Sequence, residues 1–172
     1  VIFTSNLNAP AICSGTTFSY TPTSSTAGTR FQWTRTVVAG ISNPSAIGTN
    51  NPNERLINIT TAPIEVTYVY SLVTNSECNE TQIVKVIVNP IPSLTSLNNV
   101  PAICSGEVFS YFPTADITGT VFNWSRVVQA SISNTAATGT SNPLERLVNT
   151  SNNLVVVEYN YTLTVNGCSS TQ

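Results

Sequence analysis

The chain has 172 residues, of which six are basic and eight acidic, giving a net charge of −2. Its charged fraction is 8%, against about 25% in a typical soluble domain. One lysine, Lys85, and five scattered arginines form no basic patch, which excludes nucleic acid and anionic lipid surfaces as partners. The 41% of hydrophobic residues are dispersed, and no run approaches the ~18 apolar residues that direct membrane insertion requires.

In chain order, strands are predicted near 1–7, 16–22, 30–39, 54–60, 64–74 and 82–89, with a short one within 40–48. Clusters of Asn, Gly, Pro and Ser separate them, as turns require. No stretch has the i, i+3, i+4 spacing of an amphipathic helix.

The same series then begins again. PAICSGTTFSYTPT starts at Pro10 and PAICSGEVFSYFPT at Pro101, a shift of 91 residues. At that shift the match runs without a gap from Pro10–Asn75 to Pro101–Asn166, with 35 of 66 positions identical. One residue is then dropped before the next cysteine, and a length change of that kind marks a loop tip. The copies agree at Val66, Tyr68, Tyr70 and Leu72 and differ at the positions between. They likewise agree at Phe31, Trp33, Arg35 and Val37. Strand side chains alternate between faces with period two, so each segment has one constrained face. The fold class expected is all-β: two tandem immunoglobulin-like sandwiches of about seven strands each, over 1–91 and 92–172. Arg35 and its counterpart Arg126 fit worst, because they share the face of a tryptophan.

Copy one ends in IVKVIVNP, residues 83–90, whereas Gln172 is the counterpart of Gln82. The final strand of the second copy is therefore expected to be missing, leaving the strand at 157–165 with an open edge; the plain reading is that the piece was cut there, by its chosen boundary or by proteolysis, and the other is that a neighbouring chain or the next stretch of a parent protein covers the edge. The chain has no Met and no basic, apolar leader, and reads as an internal piece of a longer, processed protein. The prolines of NPIPSL, residues 89–94, predict a stiff join between the copies.

The four cysteines fall as one pair per copy, Cys13 with Cys78 and Cys104 with Cys168. Four cysteines allow three connectivities, and the repeat favours pairing within each copy. Each bridge would close about 65 residues, corresponding to roughly 4 kcal/mol in the chain-entropy model. A zinc site would need clustered ligands, and the chain has no histidine. No Asp-rich loop offers calcium its carboxylates, which leaves only a site of backbone carbonyls open for that ion. No cofactor is expected.

Arg35 and Glu54 recur as Arg126 and Glu145, and Arg55 as Arg146. The structural reading is an ion pair that satisfies an inward arginine, since a buried charge needs a partner. The competing reading is a binding site. Trp33, Tyr68 and Tyr70, with Trp124, Tyr159 and Tyr161, lie on the constrained parity and are expected in the cores. Tyr20 and Tyr111 look the same. Catalysis finds little support. There is no histidine base, the lone aspartate, Asp116, has Ser25 as its counterpart, and Ser14 has no activating base nearby in sequence. Sequons occur at Asn58, Asn79, Asn123, Asn149 and Asn160, as chance allows in so Asn- and Thr-rich a chain, and no glycosylation is inferred from them.

The motifs Ile12–Gly15, Phe18–Tyr20, Phe31–Arg35, Glu54–Asn58 and Tyr68–Cys78, repeated in the second copy, resemble the PKD-like repeats of very large surface adhesins of Bacteroidota, including the gliding-motility adhesins. The resemblance covers nearly the whole chain. It implies a β-sandwich repeated many times in one exported protein, typically a substrate of type IX secretion, serving adhesion, gliding or surface filaments, with no catalytic residues. The implied location is the cell surface or the medium. The partners expected are neighbouring repeats, other copies of the chain, surface polysaccharide or other cell-surface proteins. The alternative is an accessory carbohydrate- or protein-binding module of a secreted multidomain hydrolase.

Overall fold

A computed structural model describes residues 2–74 and 79–172. The chain divides into two compact units, Val1–Pro90 and Ile91–Gln172. The described residues form strands, bridges and turns without a helix, so none is long and apolar enough to cross a membrane.

In the first unit the strands are β1 (Ile12–Cys13), β2 (Thr17–Phe18), β3 (Arg30–Arg35), β4 (Ala46–Thr49), β5 (Glu54–Arg55), β6 (Ile64–Val73) and β7 (Asn79–Asn89). The larger sheet has the order β1-β7-β6-β3-β4, and β2 pairs with β5 in the second layer. Alternation places Trp33, Arg35, Val66, Tyr68, Tyr70, Leu72, Val84, Val86 and Val88 on the inner face of the larger sheet. Phe18, Tyr20, Ile41 and Leu56 of the opposite layer close the core over them. β-branched and aromatic residues suit this pleated, one-side-buried surface.

The N-terminal segment makes no continuous strand. Phe3 bridges Ser24 antiparallel in one layer, Asn8 bridges Lys85 in parallel, and β1 then runs parallel to the end of β7, Ile12 opposite Val88. The segment predicted at 1–7 thus crosses from one layer to the other.

The second layer is held largely by side chains, so its strands are shorter than expected. Asn43 Nδ2 donates to Arg55 O (2.9 Å) while its Oδ1 accepts from Ile57 N (2.9 Å). Asn51 Oδ1 accepts from Tyr20 N (2.8 Å). The buried Asn58 donates to Ala62 O (2.8 Å) and Val88 O (2.9 Å), tying the loop before β6 to the end of β7. Such bonds offer the backbone an alternative to a ladder.

The second unit repeats the plan with β8 (Val108–Phe109), β9 (Val121–Arg126), β10 (Ala137–Thr140), β11 (Glu145–Arg146), β12 (Asn160–Val165) and β13 (Cys168–Thr171). Its sheets are β10-β9-β12-β13 and β11-β8. Trp124, Tyr161 and Leu163 form its buried centre. Asn134, Asn142 and Asn149 make the bonds of Asn43, Asn51 and, toward its own loop, Asn58.

The expectation for the last strand of this copy needs correction. Its first four residues form β13, joined to β12 by Asn166–Gly167, both at positive φ (49° and 76°). An Asn-Gly pair favours such a two-residue hairpin because both positions demand that conformation. The edge expected to be open along 157–165 is therefore covered from Thr162 to Val165. Only the stretch before β12 lacks a ladder. The counterpart of that stretch in the first unit, from Ile64 to Tyr68, is held by Val84–Val88.

Candidate functional site

Arg35 and Tyr68 project inward from neighbouring strands of the larger sheet, and Glu54 faces them from β5 in the opposite layer. Arg35 Nε donates to Glu54 Oε2 (2.9 Å) and Nη2 to Oε1 (2.8 Å), a two-point grip on one carboxylate. The remaining guanidinium donors reach Pro44 O (2.7 Å) and Thr36 O (3.3 Å). Tyr68 OH donates to Glu54 Oε2 (2.7 Å). The Arg35 side chain is 0% exposed, so an arginine that looked misplaced in sequence is among the most deeply buried groups of the unit.

The second unit reproduces the cluster. Arg126 donates to Glu145 at 2.9 and 2.8 Å and to Thr135 O at 2.7 Å, and Tyr159 OH donates to Glu145 Oε2 at 2.7 Å. The geometry of the shared positions thus depends on the cluster and not on the copy.

Electrostatics fix the protonation states. Burial works against ionisation of Glu54, but the bonds from Arg35 and Tyr68 outweigh it, and its carboxyl sits below the usual range. At Glu145 the Arg126 bond dominates, with the same result. Burial first, then the neighbouring carboxylate, pushes the Tyr68 and Tyr159 phenols up. A carboxylate that accepts three bonds and is held ionised has no proton to give, and its lone pairs are committed. The cluster therefore crosslinks two layers. A buried pair of this kind contributes little net stability but penalises any packing that leaves one member alone.

The aromatic residues frame it. Trp33 meets Tyr68 edge-on at 5.4 Å, and Phe18 stacks on Tyr68 at 5.1 Å. Trp124 and Phe109 flank Tyr159 in the same way. Tyr70 is buried, with its hydroxyl on Asn50 O (2.9 Å), and Tyr161 is buried with its hydroxyl on Ser141 O (2.8 Å). Of the aromatic residues expected in the cores, Tyr159 and Tyr111 are only half-buried.

Arg55 and Arg146 take no part in the cluster. Each donates to the carbonyl of a turn glycine, Gly15 (2.6 Å) and Gly106. Ser14 is no nucleophile in waiting. Its hydroxyl donates to Asn58 O (3.2 Å) and accepts from Asn58 N (3.0 Å), and Ser105 and Asn149 repeat that exchange. Asn43, Asn51 and Asn58 were not singled out from sequence as structural residues. Their identity in both copies was the available signal.

The cysteines depart from the pairing expected in the second copy. Cys104 is an exposed free thiol, and its backbone N–H donates to Glu107 Oε2 (2.8 Å). Cys13 and Cys168 are both disulfide-bonded, and Cys168 is buried. The Cys104–Cys168 bond is thus not formed. In the first unit Cys13 is fixed in β1 by pairing with Asn89, and Ile103–Cys104 has no such ladder to bring it inward. Cys78 lies outside the described residues.

Among the described residues no group of three or more His, Cys, Asp or Glu is placed to hold a metal ion. Two sandwiches with internally saturated polar clusters define a tandem, immunoglobulin-like β-repeat protein. A family model for the PKD-like domain matches residues 10–92 and 101–172, and the chain belongs to that family. No curated protein and no solved structure matches it.

Proposed function

We propose that the chain is a non-catalytic structural and adhesive repeat of a large secreted surface protein, an adhesin or surface filament of the kind that serves adhesion or gliding in Bacteroidota. The observation that carries this reading is the use made of the shared residues. The Arg–Glu–Tyr cluster, the asparagine staples and the aromatic core all serve the sandwich itself. The outward positions, such as Ile47 against Thr138 and Val69 against Asn160, differ between the copies. Two copies that share a frame and vary in surface suit a module used for reach, with contact made by many weak sites in parallel. The PKD-like family and the disulfide-bonded cysteines support an extracellular location. The partners that fit are neighbouring repeats, surface polysaccharide or other cell-surface proteins.

An antibody to this chain tests the reading on whole cells. The expected result is a band of several hundred kilodaltons with labelling of intact cells. A band of ordinary enzyme size released to the medium would overturn it in favour of an accessory module of a secreted hydrolase.

A further inference from the structure

In the second unit β10, β9 and β12 turn six uncharged polar side chains to the outer face of their sheet. The ladders align them in two rows. Thr138, Ser125 and Asn160 lie opposite one another, and so do Thr140, Asn123 and Thr162. Thr171 of β13 carries the second row onto a fourth strand. Neighbouring strands lie about 4.8 Å apart, and residues on one face of a strand recur every ~7 Å. The six residues line a shallow groove of about 390 Å³, completed by the inward-turned Trp124 and Gly139.

The polar groups of this groove are not spent on the fold. Asn134, Asn142 and Asn149 each bond to backbone through the side-chain amide. Among the described residues, the side chains of the six have no such partner. Asparagine is depleted from strands, yet Asn123 stands in the middle of β9, the strand between β10 and β12. The sequons at Asn123 and Asn160 gain a physical sense here. On a strand, Asn-x-Ser and Asn-x-Thr set an amide and a hydroxyl on the same face. The four strands of this sheet contain one charged residue, Arg126, and it is turned inward onto Glu145. The first unit places a different row in the same register, Ile47, Thr34, Val69 and Ile83.

We propose that the outer face of the second unit binds an uncharged polysaccharide chain through these two rows. The inference rests on the adhesive reading above and names the partner class and the face. A surface without charge offers nothing to an acidic or basic partner. It also lacks the exposed Trp, Tyr and Arg anchors on which protein interfaces depend. What it offers is a dense array of donors and acceptors, which a chain of neutral hydroxyls matches group for group. Each such bond is exchanged against water and contributes little, so one face binds weakly and repetition supplies the strength.

The test is a titration of the isotopically labelled full chain, followed by NMR. The probes are hexasaccharides of cellulose, amylose, laminarin, mannan and xylan, with an oligogalacturonate as the acidic control. At least one neutral probe should shift the side-chain amides of Asn123 and Asn160 and leave Gln32 of the first unit in place. Thr138→Ile with Asn160→Val installs the residues the first unit carries at those positions. Both favour a strand, so the fold is kept, and the thermal midpoint checks that it is. This variant should bind at least roughly tenfold more weakly, as the loss of two bonds requires. No shift with any neutral probe would overturn the proposal. So would equal shifts at Gln32, equal binding of the oligogalacturonate, or undiminished binding by the folded variant. The titration needs no cell, so its failure strikes this face alone, while the adhesive reading stands or falls on the antibody result.

Discussion

Gly48 lies directly opposite Trp33 across the β3–β4 ladder, and the indole fills the space a side chain at 48 would need. A Cβ there would stand 2.5 Å from Trp33 Cζ2, and at Gly139 in the second unit 2.7 Å from Trp124 Cζ2. Gly48→Ala should therefore force the ring off its seat. Overpacking of this kind costs about 1–3 kcal/mol, so the unfolding midpoint of the first unit should fall by roughly 5–15 °C. Calorimetry of Gly48→Ala and Gly139→Ala should show each substitution lowering its own unit.

Leu144 occupies a left-handed backbone position, φ 46°, where the first copy places Asn53 at φ 47°. The side chain is 63% exposed and gains little from packing. A bulky residue at such an angle costs roughly 1–2 kcal/mol, which asparagine largely escapes. Leu144→Asn should raise the urea midpoint of the second unit, and Asn53→Leu should lower that of the first by a similar amount.

Removing Arg35 strands a partly buried carboxylate between a tyrosine and an apolar core. Arg35→Met should cost about 3–5 kcal/mol, since breaking a buried pair from one side leaves an uncompensated charge. Adding Glu54→Gln should restore part of the loss, and a double-mutant cycle from chemical denaturation measures that coupling. Equal losses in the single and double mutants would show that Arg35 acts through packing alone.

The depressed carboxyls of Glu54 and Glu145 give an acid limb to stability. The unfolded state binds their protons near the ordinary value of about 4.3, while the folded state resists to lower pH. Their contribution is thus complete above that value and is lost as pH falls through the folded pKa. Glu54→Gln with Glu145→Gln should flatten this limb of the midpoint-against-pH curve. At the alkaline end burial raises the Tyr161 hydroxyl to about 12. Its contribution is present below the unfolded value of about 10 and is lost as pH rises through the folded one. Absorbance at 295 nm should show this phenol ionising late, together with unfolding.

The larger sheet was legible because burial imposes a period of two, and two copies exposed that period as agreement at Val66, Tyr68, Tyr70 and Leu72. Agreement alone misled at Val37. It lies past the end of β3 and is 67% exposed, as Val128 is 66% exposed, so nothing in the core accounts for its identity. The second layer was less legible because asparagine side chains replace its ladder, and an Asn-x-Thr at Asn58 reads as a sequon as readily as a staple. The Arg–Glu pairing could be anticipated from two residues that recur together. The hydroxyl of Tyr68, which completes the cluster, could not, since its parity announces only a core position. The unpaired state of Cys104 depends on a ladder absent around it and leaves no trace in the cysteine spacing.

In the first unit the incoming chain and the outgoing chain lie side by side and point the same way. Ala9 N–H bonds Lys85 O (2.8 Å), Lys85 N–H bonds Leu7 O (2.7 Å), and Ser14 N–H bonds Asn89 O (2.8 Å). Tension applied to the two ends of this unit drags β1 and β7 past each other in opposite directions. The bonds between them are then loaded together, in shear, and cannot be peeled one at a time. Under a steady pull the first unit should hold until that whole seam fails at once.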